Sequence, residues 1–303
     1  MLKDTWQEAG RLESLFLEIV EDPTKKEVLL YPICYCQLVR KESSFEVDLQ
    51  RLITCANKTF KITKGMWQDI LLELDLFQLI APNGDVICGK DILRIQSPEG
   101  FRVSFLPEYR EIFYEVYSKF LKYWTILSKV SSYSRRNTPA EAVYLSVLIF
   151  NEELFREVIH FCSLQTARYP AEGSFFSAVR EVAEFYVKAG EGKDLSPYHL
   201  SKALEILNGF GDIYYGINVA RFRKDVENLI REVIRARRYF PIKIGFHMRS
   251  GHGKGILRRL ISALVGKIRR IGGRRWTLIS SETVSSCSTE TYWRRLRGLP
   301  IQP

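Results

Sequence analysis

Residues Met66–Ile87, MWQDILLELDLFQLIAPNGDVI, decide how the N-terminal part of the chain is read. Together with the three residues before it, the first half of this stretch predicts a helix that begins at Thr63 and runs through the apolar Leu-x-Leu-Phe-x-Leu-Ile segment. The turn residues Ala81-Pro82-Asn83-Gly84 follow, and the apolar period then shortens to the strand-like runs VIC and DILRIQ. A second turn at 97–100 precedes FRVSFL, a strand-like run. The stretch therefore predicts a helix followed by a β-hairpin.

Further helices are predicted before this stretch. An amphipathic helix covers about Thr5–Val20, a second begins near Thr24, and a third begins at Ser43. Three helices and a hairpin over about residues 24–106 resemble the winged helix-turn-helix superfamily. The resemblance implies that the third helix enters the major groove of DNA and that the wing contacts the backbone.

The third of the three helices within 24–106, the one that begins at Thr63, departs from the DNA-reading form of that superfamily. It carries Asp69, Glu73 and Asp75, whose carboxylates phosphate would repel. A docking or structural role for the 1–106 domain is therefore favoured, and direct DNA contact stays open as the alternative.

Residues 107–238 predict a bundle of six helices with short links. Pro107 sits at a first-turn position, and Thr138-Pro-Ala-Glu141 has capping-box spacing. The last helix has an apolar stripe that is typical of a core-facing helix: Phe222, Val226, Leu229, Ile230 and Val233. We therefore predict a mainly α fold with a winged-helix-like domain (1–106), a helical bundle (107–238) and a basic C-terminal region (239–303).

Charge divides the chain unevenly. The 303 residues carry a net charge of +10, and residues 239–303 hold 13 Lys+Arg but only Glu282 and Glu290 as acids. That leaves 32 of the 45 basic and 33 of the 35 acidic residues in 1–238. The body is nearly neutral at −1 and the last segment carries +11, which predicts a polyanionic partner for that segment.

The basic region has three recognisable parts. The segment GFHMRSGHGKG (245–255) lacks the spacing and the hydroxyl of a phosphate-binding P-loop. Ile256–Ile271 predicts a basic amphipathic helix, and two Arg/aromatic clusters follow it. Arginine outnumbers lysine, and guanidinium groups bind phosphate bidentately. The predicted nucleic-acid-binding residues are Arg249, Lys254, Arg258, Arg259, Lys267, Arg269, Arg270, Arg274, Arg275, Trp276, Tyr292, Trp293, Arg294, Arg295 and Arg297, with the aromatic rings offering stacking surfaces for unpaired bases.

The sequence shows no catalytic motif, and we predict no catalytic residue, cofactor or metal. The longest apolar run, Ala142–Phe150, is about half of what a membrane-spanning helix needs, so no membrane partner is expected. Six cysteines without framework spacing predict free thiols and a cytoplasmic location.

These observations predict a non-catalytic nucleic-acid-binding protein that works within a larger nucleoprotein assembly, with protein partners at the winged-helix-like domain. By layout and charge, the chain also resembles the large subunits of CRISPR Cascade complexes, which would imply DNA binding in antiviral defence. A replication or transcription factor remains an alternative. A nuclease-like enzyme, an acidic protein partner for the basic region, and a solvated terminus also remain open.

Overall fold

The computed structural model describes residues 10–59, 67–130, 138–192 and 195–247. These residues are mainly helical and include a small antiparallel sheet. The N-terminal elements are α1 (Arg11–Glu21), a 3₁₀ helix (Pro23–Leu29), α2 (Leu30–Glu42), β1 (Val47–Asp48), α3 (Leu49–Thr59), α4 (Trp67–Leu74), β2 (Phe77–Ile80), β3 (Val86–Ile87), a second 3₁₀ helix (Gly89–Arg94) and β4 (Arg102–Phe105). The later elements are α5 (Pro107–Glu111), α6 (Phe113–Val130), α7 (Pro139–Asn151), α8 (Phe155–Arg168), a 3₁₀ turn (Pro170–Glu172), α9 (Gly173–Gly190), α10 (Tyr198–Asn208), β5 (Ile213–Tyr214), β6 (Ile217–Asn218) and α11 (Val219–Ala236).

The helix that is predicted to begin at Thr63 ends earlier than the sequence predicts. Helix α4 stops at Leu74, and Asp75 turns the backbone into the left-handed region with φ 50°. The run Phe77–Ile80, predicted as the end of the helix, is strand β2, and all four residues are buried. It lies between β4 and β3 in a sheet of order β1-β4-β2-β3. Three of its four residues are apolar and only Gln78 is polar, so the run is too short for periodicity to separate a buried strand from the end of a buried helix.

Two further elements differ from the sequence prediction in this region. The run DILRIQ, predicted as a strand, lies largely in the 3₁₀ helix Gly89–Arg94, which begins at a glycine with φ 56° and buries Ile92. Strand β1 was predicted as part of a helix; it pairs with β4 through Val47 and Val103. The strand prediction for FRVSFL is confirmed as β4.

The described part of residues 107–238 is mainly helical as the sequence predicts, but it holds α5 and α6 where a single helix was predicted after Pro107. Thr138 accepts a hydrogen bond from the Glu141 backbone nitrogen at 3.3 Å, and the Glu141 carboxylate accepts from the Thr138 backbone nitrogen at 3.2 Å, which completes the capping box of α7. The stripe of α11 faces the core, with Phe222, Val226, Leu229 and Val233 buried. The short hairpin β5–β6 between α10 and α11 was not predicted.

One continuous core joins these elements from Leu12 to Ile244. The segment after α11 belongs to it, because Ile242 and Ile244 are buried. The Asn151 side chain fixes that segment: its amide nitrogen donates to the Ile244 carbonyl at 3.0 Å, and its oxygen accepts from the Ile244 backbone nitrogen at 2.8 Å. No helix within the described residues is both long and apolar enough to cross a membrane.

A buried charge network connects α1, α6 and α8. The Lys119 ammonium lies 2.6 Å from a Glu13 carboxylate oxygen and 2.9 Å from Glu157, and the Tyr123 hydroxyl donates to Glu157 at 2.6 Å. Burial raises the pKa of Glu13, but the Lys119 charge and hydrogen bond outweigh it and lower that pKa below its usual value. Burial lowers the pKa of Lys119, and the two carboxylates together raise it above its usual value. The Lys119 ammonium therefore joins three elements through its two carboxylate partners.

Candidate nucleic-acid interface

The predicted binding residues begin at Arg249, and all of them lie outside the described residues. The described chain ends next to the hairpin β5–β6, where the His247 backbone nitrogen donates to the Gly216 carbonyl at 2.8 Å. The described residues nearest to them in the sequence are the end of α11 and the segment that follows it.

Positive charge begins before residue 239. From Val233 to Ser281 the sequence has 13 Lys+Arg and no Asp or Glu. Three of these cations, Arg235, Arg237 and Arg238, are exposed at the C-terminal end of α11. Cations at a helix C-terminus stabilise its dipole, and the Arg237 guanidinium donates to the Leu195 carbonyl at 3.4 Å, so part of this charge has a structural role. Arg235 has no hydrogen-bond or ion-pair partner within the described part of the chain.

An open groove of about 640 Å³ lies beside this end of α11. Its lining residues are Asn228, Arg231, Glu232, Ile234, Arg235 and Phe240. The first five lie on one side of the helix, and Phe240 comes from the segment after it. Arg231 makes only a 3.9 Å contact with Glu227, and within the described ranges Asn228 and Glu232 have no side-chain partner. The groove therefore presents polar groups that are free to bind a ligand.

Tyr186 fixes the aromatic wall of the groove. Its hydroxyl donates to the Phe240 carbonyl at 2.7 Å and accepts from the Ile242 backbone nitrogen at 3.0 Å. The Tyr239 ring packs edge-on against Phe185, with 6.1 Å between the ring centroids. Because the backbone on both sides of Phe240 is held, its ring stays at the groove while 40% of the residue remains exposed.

Each class of group in the groove has a distinct chemical capacity. The guanidinium groups of Arg231 and Arg235 can bind phosphate oxygens bidentately. The Phe240 ring offers a face on which a planar base can stack. Asn228 and Glu232 can form hydrogen bonds with the edge of a base. A single nucleotide contains all three complementary parts.

A second polar cluster lies between α9 and α10. The buried Glu181 carboxylate accepts from the Lys202 ammonium at 2.7 Å and contacts His199 Nδ1 at 2.8 Å, while His199 Nε2 lies 2.7 Å from Lys188 Nζ. Burial raises the pKa of Glu181, but hydrogen bonds from Lys202 and His199 outweigh it and lower that pKa. Every member has a partner inside the cluster, so it serves to join the two helices.

The exposed side of α4 is acidic, in keeping with its sequence. Asp69 and Asp75 are exposed there. Lys25 binds Glu73 at 2.6 Å, and the Arg11 guanidinium donates to the carbonyls of Glu73 and Leu74 at the end of the helix. Another side of α4 packs against the 3₁₀ helix Gly89–Arg94, and the Gln68 amide donates to the Ile95 carbonyl at 2.9 Å. Helix α4 therefore presents carboxylates outward and is partly covered.

The cysteines do not form a chemical site in the described part of the chain. Cys34, Cys36 and Cys162 are buried, and burial raises the pKa of Cys36 and of Cys162 far above the usual range. Cys88 is exposed, and burial together with nearby carboxylates raises its pKa as well. Thiols that stay protonated are weak nucleophiles.

The sequence contained a partial signal for the groove. Asn228, Arg231, Glu232 and Arg235 recur every three or four residues, which places them on one side of α11, opposite its apolar stripe. That polar stripe resembles an ordinary solvated helix surface, so the sequence alone does not predict a binding site there. The approach of Phe240, which turns the stripe into a groove, depends on the path of the chain after α11 and had no local signal.

Comparison with known proteins identifies a relative that aligns with most of this chain. A protein of Aquifex aeolicus (strain VF5), described as "Uncharacterized protein", is 41% identical over 276 residues, which cover 91% of this chain and 88% of the relative. The two proteins belong to one family. The relative's description names no activity, so family membership does not assign one. No family model matches the sequence, and no solved structure matches it.

Proposed function

We propose that this protein binds nucleic acid through its arginine-rich C-terminal region and has no catalytic role of its own. The observation that carries the proposal is the acid-free stretch 233–281, whose 13 cations begin on the exposed end of α11. Charge segregated in this way is typical of proteins that neutralise phosphates. The proposal includes Arg249, Lys254 and the other predicted residues beyond them, which continue the charge that begins at Arg235.

The order of elements in the N-terminal part supports the winged-helix part of the proposal. The described chain runs α2, β1, α3, α4, β2 and β4, and β1 pairs with β4, which pairs with β2. Three helices followed by antiparallel strands are in keeping with the three helices and hairpin that the resemblance implies, and β1 is an addition to that pattern. Strand β3 and the 3₁₀ helix Gly89–Arg94 lie between β2 and β4 in the chain.

Helix α4 supports a docking or structural role for this domain over insertion into a DNA groove. Asp69 on the helix and Asp75 directly after its end are exposed, and the 3₁₀ helix Gly89–Arg94 packs against α4. Carboxylates directed at phosphates would weaken binding. We therefore propose that the domain contacts protein partners in a larger nucleoprotein assembly. A Cascade-type assembly stays a prediction from layout.

The salt dependence of binding tests the proposal. We expect the full chain to bind short DNA or RNA with little sequence preference, and its affinity to fall steeply as salt rises, because each neutralised phosphate releases counterions. Changing Arg274, Arg275, Arg294 and Arg295 to Gln should lower the slope of log K against log salt by up to about one per arginine. Fluorescence anisotropy at four salt concentrations measures both quantities.

A matched variant locates the site. In a separate control variant, four exposed arginines of the described part are changed to Gln: Arg51, Arg94, Arg102 and Arg156. This variant loses the same amount of charge elsewhere in the protein. This variant should keep the wild-type slope. A flat salt response, or no binding at low salt, would contradict nucleic-acid binding. A lower slope in the control variant alone would move the site to the body of the protein.

A further inference from the structure

We propose that the groove lined by Arg231, Arg235 and Phe240 binds one unpaired nucleotide, with its base on the Phe240 ring and its phosphates at the two arginines. The inference rests on the proposed function and adds the chemical class of the ligand, single-stranded nucleic acid. The groove includes the first cation of the acid-free stretch, Arg235.

The volume and lining of the groove fit a nucleotide. About 640 Å³ is open beside α11, and the apolar contribution comes from Phe240 and Ile234. Ile234 is among the exposed large apolar residues, and the Phe240 backbone is fixed by Tyr186. A rigid aromatic ring with an adjacent apolar side chain provides a stacking surface whose placement costs little entropy on binding.

The charges in the groove separate two parts of the ligand. Arg231 and Arg235 lie one helical turn apart and can bind successive phosphate oxygens. Glu232 would repel a phosphate, and an unpaired carboxylate instead accepts hydrogen bonds from N–H donors. Asn228 lies one turn before Glu232 and can both donate and accept. The phosphates therefore belong at the arginines, and the base edge belongs at Glu232 and Asn228.

The carboxylate also gives a preference among bases. Cytosine presents an exocyclic amino group on its pairing edge, and a Glu carboxylate accepts from that group. Thymine presents a carbonyl oxygen at the same position, which Glu232 would repel. Base pairing in a duplex occupies these edges, so the groove accepts only an unpaired base. Cytosine should consequently bind better than thymine.

Two oligonucleotides whose bases differ at this position, and also at N3 and in the 5-methyl group of thymine, test the inference with the full chain. Anisotropy titrations compare (dC)8 with (dT)8 at neutral pH, where we expect (dC)8 to bind several-fold more tightly. Glu232→Gln should remove that preference. Phe240→Leu should weaken binding of both single strands by about fivefold or more. Fivefold is the lower end of the range expected for the loss of one stacked base. Binding of a duplex should change less than twofold in either variant.

Control variants and competitors separate the possible failures. Phe45 is 43% exposed, close to the 40% of Phe240, and does not line the groove, so Phe45→Leu should leave binding unchanged. If the affinity of the wild-type chain falls steeply as salt rises, but the Glu232 and Phe240 variants have the same affinities as the wild type, the groove inference is wrong and the proposed function stands. If the wild-type chain binds no nucleic acid, both are wrong.

A third result would identify a different occupant of the groove. An octamer of aspartate that displaces (dC)8 at equal concentration would show that the groove selects only negative charge, and the base-binding inference would fail. Melting temperatures of the variants are measured alongside the titrations. If Phe240→Leu unfolds the chain, Glu232→Gln alone decides, because the polar side chain of Glu232 is not part of the hydrophobic core.

Discussion

Replacing Lys119 by Met would test whether the buried network holds the N-terminal elements to the bundle. The ammonium lies between Glu13 on α1 and Glu157 on α8, and it is itself on α6. Methionine has a similar length and no charge, so the substitution removes the cation without leaving a large cavity. Glu157, 1% exposed, would then keep only the hydroxyl of Tyr123 as its partner.

The burial of the network sets the size of the expected effect. Removing one partner of a buried ion pair typically lowers the free energy of unfolding by about 3–5 kcal/mol, because the remaining charge is left without compensation. Lys119 is 26% exposed, so water reaches part of the network and the lower half of that range is expected. We predict a loss of about 3 kcal/mol at pH 7, measured by urea unfolding monitored by circular dichroism.

The loss should depend on pH in a defined direction. The pKa of Glu13 is lowered in the folded protein, so its stabilising contribution is present above the usual pKa of 4.5 and is lost as pH falls through the lowered value. The pKa of Lys119 is raised, so its contribution is present below 10.5 and is lost as pH rises through the raised value. The difference between wild type and variant should therefore be largest between about pH 5 and 10.

An exposed ion pair with the same nitrogen–oxygen distance is the control. Lys25 lies 2.6 Å from Glu73, the same distance as Lys119 from Glu13, but its side chain is 44% exposed. Lys25→Met should cost no more than about 1 kcal/mol, because exposed ion pairs are screened by water. Equal losses for the two variants, or a Lys119 deficit that does not shrink at low pH, would refute the argument that burial makes this network strong.

Two further predictions concern backbone positions. Asp75→Val should lower the free energy of unfolding by about 1–2 kcal/mol, because a β-branched residue is strained at φ 50°, whereas Asp75→Asn should be nearly neutral; urea midpoints compare the two. Tyr186→Phe removes the hydrogen bonds to the backbone of Phe240 and Ile242 and should cost about 1–3 kcal/mol. If it leaves both the urea midpoint and the affinity for (dC)8 unchanged, Tyr186 does not position the groove.

Local sequence signals determined the helices of the bundle. The capping box at Thr138 and Glu141 fixes the start of α7 through contacts within one turn. The stripe Phe222 to Val233 fixes the buried side of α11, because the period of 3.6 residues places those side chains together whatever they pack against. The division of charge between 1–238 and 239–303 likewise needs no structure.

The sheet and the groove were decided by tertiary structure. Phe77–Ile80 is apolar at three of its four positions, which suits the end of a buried helix and a buried strand equally, and only pairing with β3 and β4 selects the strand. The groove needs Phe240 beside α11, and that contact depends on the hydroxyl of Tyr186, which is more than fifty residues away in the chain. Local periodicity reports which side of an element is apolar, but it carries no information about which distant residues complete a sheet or close a site.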